Sequence, residues 1–257
     1  MKRTRLVALL ALSACSLGTE PEIPEGSLKV LFIGNSLTYT NNLPRTVAQL
    51  ANSAGAQPCY CYSISYPNFA LEDHYDSREA VTALEDEAWD FVVMQQGPSA
   101  LPSSKEHLIA WAGVFDEMID ENGATPIMYG VWPQWDRDFD FPNVTDSYRS
   151  AATAIDGLFA PAGEAWQLAW AQDSTLPLYS GDGFHPSTMG TYLAALTIFQ
   201  RIYGRSPEGV QATAVVNGRA QPWPLALVQL LQTAAADANA AEDSRTGHAI
   251  ISARRRR

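Results

Sequence analysis

The sequence predicts an α/β fold in which helices cover a central parallel sheet. Short β-type runs alternate with helical periods from about residue 27 onward. The runs at 30–33 and 91–94 are continuously apolar and stop abruptly at small polar turns, as buried strands do. The chain has 257 residues with 46% hydrophobic content, enough for one sizeable core.

Each element follows in order. Residues 29–33 form the first strand, ended by Gly34-Asn35-Ser36. Asn42 caps a helix with Pro44 in its first turn. Leu43, Val47, Leu50, Ala51 and Ala54 form its apolar stripe, and Gly55 ends it. Residues 60–66 alternate as a second strand. Residues 72–87 read as one charged, exposed helix, and 91–94 as a strand stopped by Gly97-Pro98. Ser103 and Glu106 have capping-box spacing and open a helix that stops near Gly123. Residues 126–132 are the next strand, and 133–144 a loop rich in Trp, Asp, Phe and Pro. A helix over 148–159, a short strand at 159–162 and a helix over 164–171 follow. Ser187 caps the last strong helix, closed by Gly204. Residues 223–241 make an Ala-rich amphipathic helix. The Arg254–Arg257 run is most simply a disordered tail, with attraction to anionic surfaces as the alternative.

The amino terminus is basic over residues 1–5, apolar over 6–12, and then reads Ser13-Ala14-Cys15. That order is an export signal. The apolar run is far shorter than the ~20 residues of a spanning helix. Leu12 to Cys15 resembles a bacterial lipobox, which implies a lipid-modified Cys15, a signal peptide over 1–14 and a tether over 15–27. The expected location is the bacterial cell envelope, membrane-anchored through that lipid. The formal charge of −11 argues against nucleic acid as a partner. Cys59 and Cys61 either form a local disulfide or pack as small apolar side chains; a lone Cys-x-Cys is a poor zinc signal.

Ligands of such a sheet bind beyond the carboxyl ends of its strands. That brings together the loops after Ile33, Met94 and Trp132, and residues 180–186 can reach the same edge. A serine there needs a base, and the base needs an orienting partner. Of the four histidines, His107 reads as helix surface, His248 as polar tail and His74 as part of an exposed helix start. His185 sits in a Gly-flanked loop three residues after Asp182, so a carboxylate can hold one imidazole nitrogen and leave the other for Ser36. Neither Gly-Asn-Ser nor Asp-x-x-His is specific alone; together on this fold they reinforce each other.

These blocks, "FIGNSLT" and "DGFHPS", resemble those of the SGNH hydrolase superfamily, or GDSL-type esterases, with Asn35 where the usual motif has Asp. Residues 160–166 and 190–207 resemble a bacterial branch of it. The resemblance spans about residues 28–207. It implies a flavodoxin-like three-layer α/β/α sandwich as catalytic domain, followed by an extension over 208–241 and a flexible tail over 242–257. It further implies Ser36 as nucleophile, His185 as general base then acid, and Asp182 as orienting carboxylate, without metal or cofactor. For the oxyanion hole it implies the Ser36 amide, Asn68 where a Gly is usual, and a side-chain amide from Gln96 or, alternatively, Gln95. Asn tolerates unusual φ angles, so its N–H can serve. Trp132, Trp135, Phe139 and Phe141, interspersed with Asp136, Asp138 and Asp140, suit sugar rings and plain loop packing equally. The expectation is a serine esterase acting on small or carbohydrate esters through an acyl-enzyme. An inactive glycan-binding lipoprotein is the alternative. A nucleotide binder lacks its phosphate signature, since "GNSLT" has neither the Lys nor the spacing of a P-loop.

Overall fold

The structure, a computed structural model, describes residue 23 and residues 25–246. The expected signal peptide, the expected lipid-bearing Cys15, most of the expected tether and residues 247–257 lie outside the described residues. Five parallel strands run β1 (Leu28–Gly34), β2 (Cys59–Ser65), β3 (Phe91–Met94), β4 (Thr125–Gly130) and β5 (Leu158–Pro161). Their order in the sheet is β2-β1-β3-β4-β5. Gly34 pairs with Ser65, and Ile33 with Met94, so the loops after β1, β2 and β3 leave from adjacent points of one edge. β1 and β3 are central, and Val30 to Ile33 and Val92 to Met94 are buried, which explains their unbroken apolar runs.

The helices form two groups. One holds α3 (Leu71–Asp76), α4 (Glu79–Asp86), α5 (Pro102–Asn122) and α6 (Phe141–Ala154). The other holds α2 (Leu43–Ser53), α7 (Ala162–Gln172), α8 (Thr188–Tyr203) and α9 (Leu225–Thr246). A short α1 (Ser36–Tyr39) follows β1, and a two-stranded hairpin, β6 (Val215–Val216) with β7 (Arg219–Ala220), packs on α2.

Several expected boundaries move, for tertiary reasons. The helix over 72–87 is two helices, broken where Arg78 takes a left-handed φ of 64°. It is not an exposed element either, since Leu71, His74, Ala80, Val81 and Leu84 are buried. α5 starts at Pro102, and the capping hydroxyl is Ser104, which accepts from Leu101 N. β4 ends at Gly130, leaving Trp132 in the core, stacked on Trp166 with centroids 3.6 Å apart. The aromatic loop is mostly helical: a 3₁₀ segment, Trp135–Asp140, runs into α6, which starts at Phe141. The caps at Asn42 and Ser187 form as expected, each side-chain oxygen accepting from helix N–H groups.

α9 runs past residue 241 to Thr246, and partly buried ion pairs hold its end. Arg149 of α6 donates to Glu242 and Glu164, each at 2.8 Å, and Arg201 of α8 pairs with Asp243. The extension is therefore part of the domain's core layer. Cys59 and Cys61 form a disulfide at the start of edge strand β2.

Candidate active site

Ser36 opens α1 directly after β1 and is nearly buried. The turn is tight enough to require glycine at its entry. A Cβ on Gly34 would lie 2.3 Å from Thr38 Oγ1 and 2.7 Å from Gln95 Oε1. Asn35 caps α1, its Oδ1 accepting from Leu37 N at 3.1 Å. Its Nδ2 donates to Phe69 O at 3.1 Å, a bond that an Asp carboxylate could not make. Asn35 thus ties the serine turn to the loop after β2, which carries Asn68.

Gln95 is fully buried, and its amide is saturated. Its Oε1 accepts from Asn35 N at 3.0 Å and Thr38 Oγ1 at 2.8 Å. Its Nε2 donates to Asn35 Oδ1 at 2.9 Å and to Gln96 O. Gln95 is therefore a strut under the serine turn, with no hydrogen free for an oxyanion. Gln96 differs: it lines the cavity beside Ser36, and one Nε2 hydrogen goes to Ser99 Oγ at 3.0 Å. Tyr148 fixes this loop, its hydroxyl accepting from Gln96 N at 3.0 Å and lying within hydrogen-bond reach of Gln96 O and Gly97 O. Burial pushes its phenol well up, so it stays a neutral donor.

The cavity holds about 360 Å³ and is lined by Ser36, Asn68, Phe69, Gln96, His107 and Phe184, among others. Asn68 stands exposed in the left-handed region, φ 62°, the conformation that favours glycine. His107 is not mere helix surface. It faces this cavity, and its Nε2 lies 2.9 Å from Glu72 Oε2.

His185 Nδ1–H donates to Asp182 Oδ2 at 2.6 Å. Asp182 Oδ1 also accepts from Ser180 Oγ, Phe184 N and His185 N. The His185 hydrogen bond, followed by the others, holds the carboxyl far below the usual range. The loop is clamped at both ends, by Ser180 N to His185 O and Ser187 N to Leu178 O, both 2.8 Å. Trp132 Nε1 donates to Phe184 O at 3.0 Å, so of its two expected uses, ligand contact or loop packing, this ring takes the second and positions the loop from the core. Asn41, in a left-handed conformation just after α1, donates to Pro186 O at 3.0 Å and Thr191 Oγ1 at 2.9 Å. It joins the serine segment to the histidine loop. Among the described residues, no hydrogen bond joins Ser36 Oγ to His185; unliganded sites often close this contact only around substrate.

His74 is buried, against expectation. Its Nε2 contacts Gly34 O at 2.7 Å, and its Nδ1 has no partner. The Gly34 carbonyl can only accept, so the proton sits on Nε2 and the ring is neutral. Desolvation, the largest influence, lowers its pKa. Sequence position offered no sign of this contact, which spans 40 residues. Phe141 and Asp140 are buried too, the latter paired with Arg137; of the aromatic segment only Trp135 and Phe139 are strongly exposed.

The parallel five-stranded sheet thus carries a serine on the turn after β1 and a carboxylate–imidazole pair on the loop before α8. No protein-family model and no curated protein sequence matches the chain. Solved structures do. A protein from Slackia heliotrinireducens assigned to the SGNH hydrolases is 28% identical, with TM-score 0.57, covering 68% of this chain and 98% of its own. A lipase/acylhydrolase from Enterococcus faecalis has TM-score 0.53 at 16% identity, covering 76% of this chain and 98% of its own. An acetyl xylan esterase has TM-score 0.53 at 13% identity, covering 67% and 98%; these two show likeness of fold. The chain belongs to the SGNH hydrolase superfamily.

Proposed function

We propose that the protein is a carboxylic ester hydrolase working through Ser36, His185 and Asp182, on acylated polar compounds such as carbohydrate esters. The observation that carries this reading is the His185 Nδ1–Asp182 Oδ2 bond of 2.6 Å on a loop joined to the Ser36 segment by Asn41. With Nδ1 held by Asp182, Nε2 is the free nitrogen. It takes the Ser36 proton as Oγ attacks the ester carbonyl, then returns it to the leaving alcohol. The acyl-enzyme is hydrolysed by water along the same path.

The oxyanion of each tetrahedral intermediate is assigned to the Ser36 N–H, the Asn68 N–H and the remaining Nε2 hydrogen of Gln96. Ser36 is the first residue of α1, where amides lack intrahelical partners. Asn68 and Gln96 line the same cavity as Ser36, and Gln95 does not. Each such donor contributes on the order of 3 kcal/mol to the transition state. The cavity's size suits a short acyl group, with Phe69 and Phe184 as apolar walls. An acetyl xylan esterase among the structural neighbours accords in fold with a carbohydrate ester, and the polar His107–Glu72 pair accords with a hydroxylated substrate.

Anchoring in the cell envelope through a lipid on Cys15 belongs to the same proposal, supported by the basic, apolar and small-residue order of residues 1–15. The enzymatic reading is tested with a fluorophosphonate probe and 4-nitrophenyl acetate. The parent labels on the peptide carrying Ser36 and hydrolyses the ester, and Ser36→Ala does neither. Labelling elsewhere, or equal rates for both proteins, would remove Ser36 from the mechanism.

A further inference from the structure

A second cleft, of about 620 Å³, is lined by Trp135, Trp170 and Tyr179 together with Asp138, Gln167 and Ser174. The two groups of residues offer different things. Tyr179 donates its hydroxyl hydrogen to Pro133 O at 2.7 Å, and Trp170 donates Nε1–H to Leu176 O at 2.9 Å. Their polar hydrogens are used, so toward the cleft they present ring carbon; the rings lie 5.7 Å apart at a 31° tilt. Trp135 keeps 63% of its surface exposed, far more than the other tryptophans of this region. By contrast, the side chains of Asp138, Gln167 and Ser174 make no hydrogen bond to a described residue.

Carbon-faced rings beside unengaged acceptors and donors match a ligand that is apolar on its faces and hydroxylated at its edge. A pyranose ring has that form. The free Asp138 carboxylate accepts from hydroxyls and repels anions, so the fit is to a neutral sugar. The cleft is also coupled to the chemistry. Trp135 N donates to Gly183 O at 2.9 Å, and the indole fills the space above Gly183, where a Cβ would stand 1.9 Å from its Cδ1. Gly183 lies between Asp182 and His185. A ring seated in the cleft is thus one tryptophan away from the loop that carries the imidazole.

We propose that this cleft is a subsite for a neutral pyranose ring of an acylated saccharide, separate from the cavity that receives the ester. The inference deepens the esterase reading and rests on that reading only for the ester. Sugar binding is therefore measured on Ser36→Ala, by calorimetry and tryptophan fluorescence, with xylohexaose and cellohexaose as neutral probes and trigalacturonate as the acidic one. The neutral probes bind and the acidic one does not. Trp170→Ala and Gln167→Ala each weaken binding by about tenfold. Gln167 is exposed, so its variant reports on the cleft without disturbing the core. In the active enzyme, Gln167→Ala raises KM for acetylated xylo-oligosaccharide by about tenfold, with a smaller change in kcat. No binding of either neutral probe, equal binding of the acidic one, or binding indifferent to both variants would overturn the subsite. Binding that responds to the variants without any Ser36-dependent hydrolysis would retain the subsite and overturn the esterase reading.

Discussion

Replacing Asn41 by Asp separates the two halves of the site with the least possible change of shape. Asn41 is the one side chain of the α1 segment that donates to the histidine loop among the described residues, at Pro186 O, and it also donates to Thr191 of α8 behind that loop. Asp keeps the size and tolerates the left-handed backbone, φ 54°. It loses both donors. Thr191 can rotate its hydroxyl to donate to the new carboxylate, but Pro186 O cannot, and the carboxylate then faces a carbonyl. One neutral hydrogen bond of about 1 kcal/mol, plus the cost of leaving a half-buried carbonyl unpaired and facing a carboxylate, comes to roughly 2–3 kcal/mol. Where that loss falls on the alignment of Ser36 with His185, each ~1.4 kcal/mol is tenfold in rate, so kcat on 4-nitrophenyl acetate falls about thirtyfold or more. Asn41→Gly keeps the backbone, adds no charge and loses the same bonds, so it falls in the same direction by less. The assay pairs steady-state kinetics with urea denaturation. If both variants lower the unfolding midpoint and leave kcat within about twofold, the two bonds serve folding alone, and the idea that they align the reacting groups is wrong.

Gln95 and Gln96 separate by the kind of damage they cause. Gln95→Ala removes an amide with four bonded partners and destabilises the fold by about 2–4 kcal/mol in urea titrations. Gln96→Ala lowers kcat by about 10²–10³ with a smaller loss of stability, and the reverse pattern would exchange their roles. His74 makes stability depend on pH. Its folded pKa lies below the unfolded value of about 6.5, so the unfolded state binds more protons between the two values. The contribution is complete above about 6.5 and is lost as pH falls from there through the folded value. Urea midpoints measured from pH 8 to 5 fall more steeply for the parent than for His74→Gln, and parallel curves would show that His74 does not titrate with unfolding.

What could be read from sequence divides by the distance over which it is written. The Gly34-Asn35-Ser36 turn, the caps at Asn42 and Ser187, and the Asp182–His185 pair all form within three residues, and each has a local pattern that announces it. The split of the 72–87 helix did not, because it turns on a left-handed Arg78, a residue with no special preference for that conformation. The roles of the aromatic residues stayed open for another reason. Composition cannot distinguish a ring that faces ligand from one that faces the core, and Trp132 went to the core because Trp166 and Phe184 O, 34 and 52 residues later, received it.

The same reasoning shows where a sequence of this kind still holds usable information. The residues that join the catalytic loops are uncharged amides: Asn35 to Phe69 O, Asn41 to Pro186 O, and Gln95 to Asn35 and Thr38. An amide can donate and accept at once and carries no charge to desolvate, so it can bridge backbone groups inside a site where Asp or Lys would be costly. Asn and Gln directly after buried apolar strands are therefore informative in themselves. At the end of β1 and at the end of β3 they mark the places where the sheet edge must hold a neighbouring loop still. Asn35 in place of Asp is best understood in those terms. The exchange removes a charge and adds a donor, and the donor reaches the loop that carries Asn68.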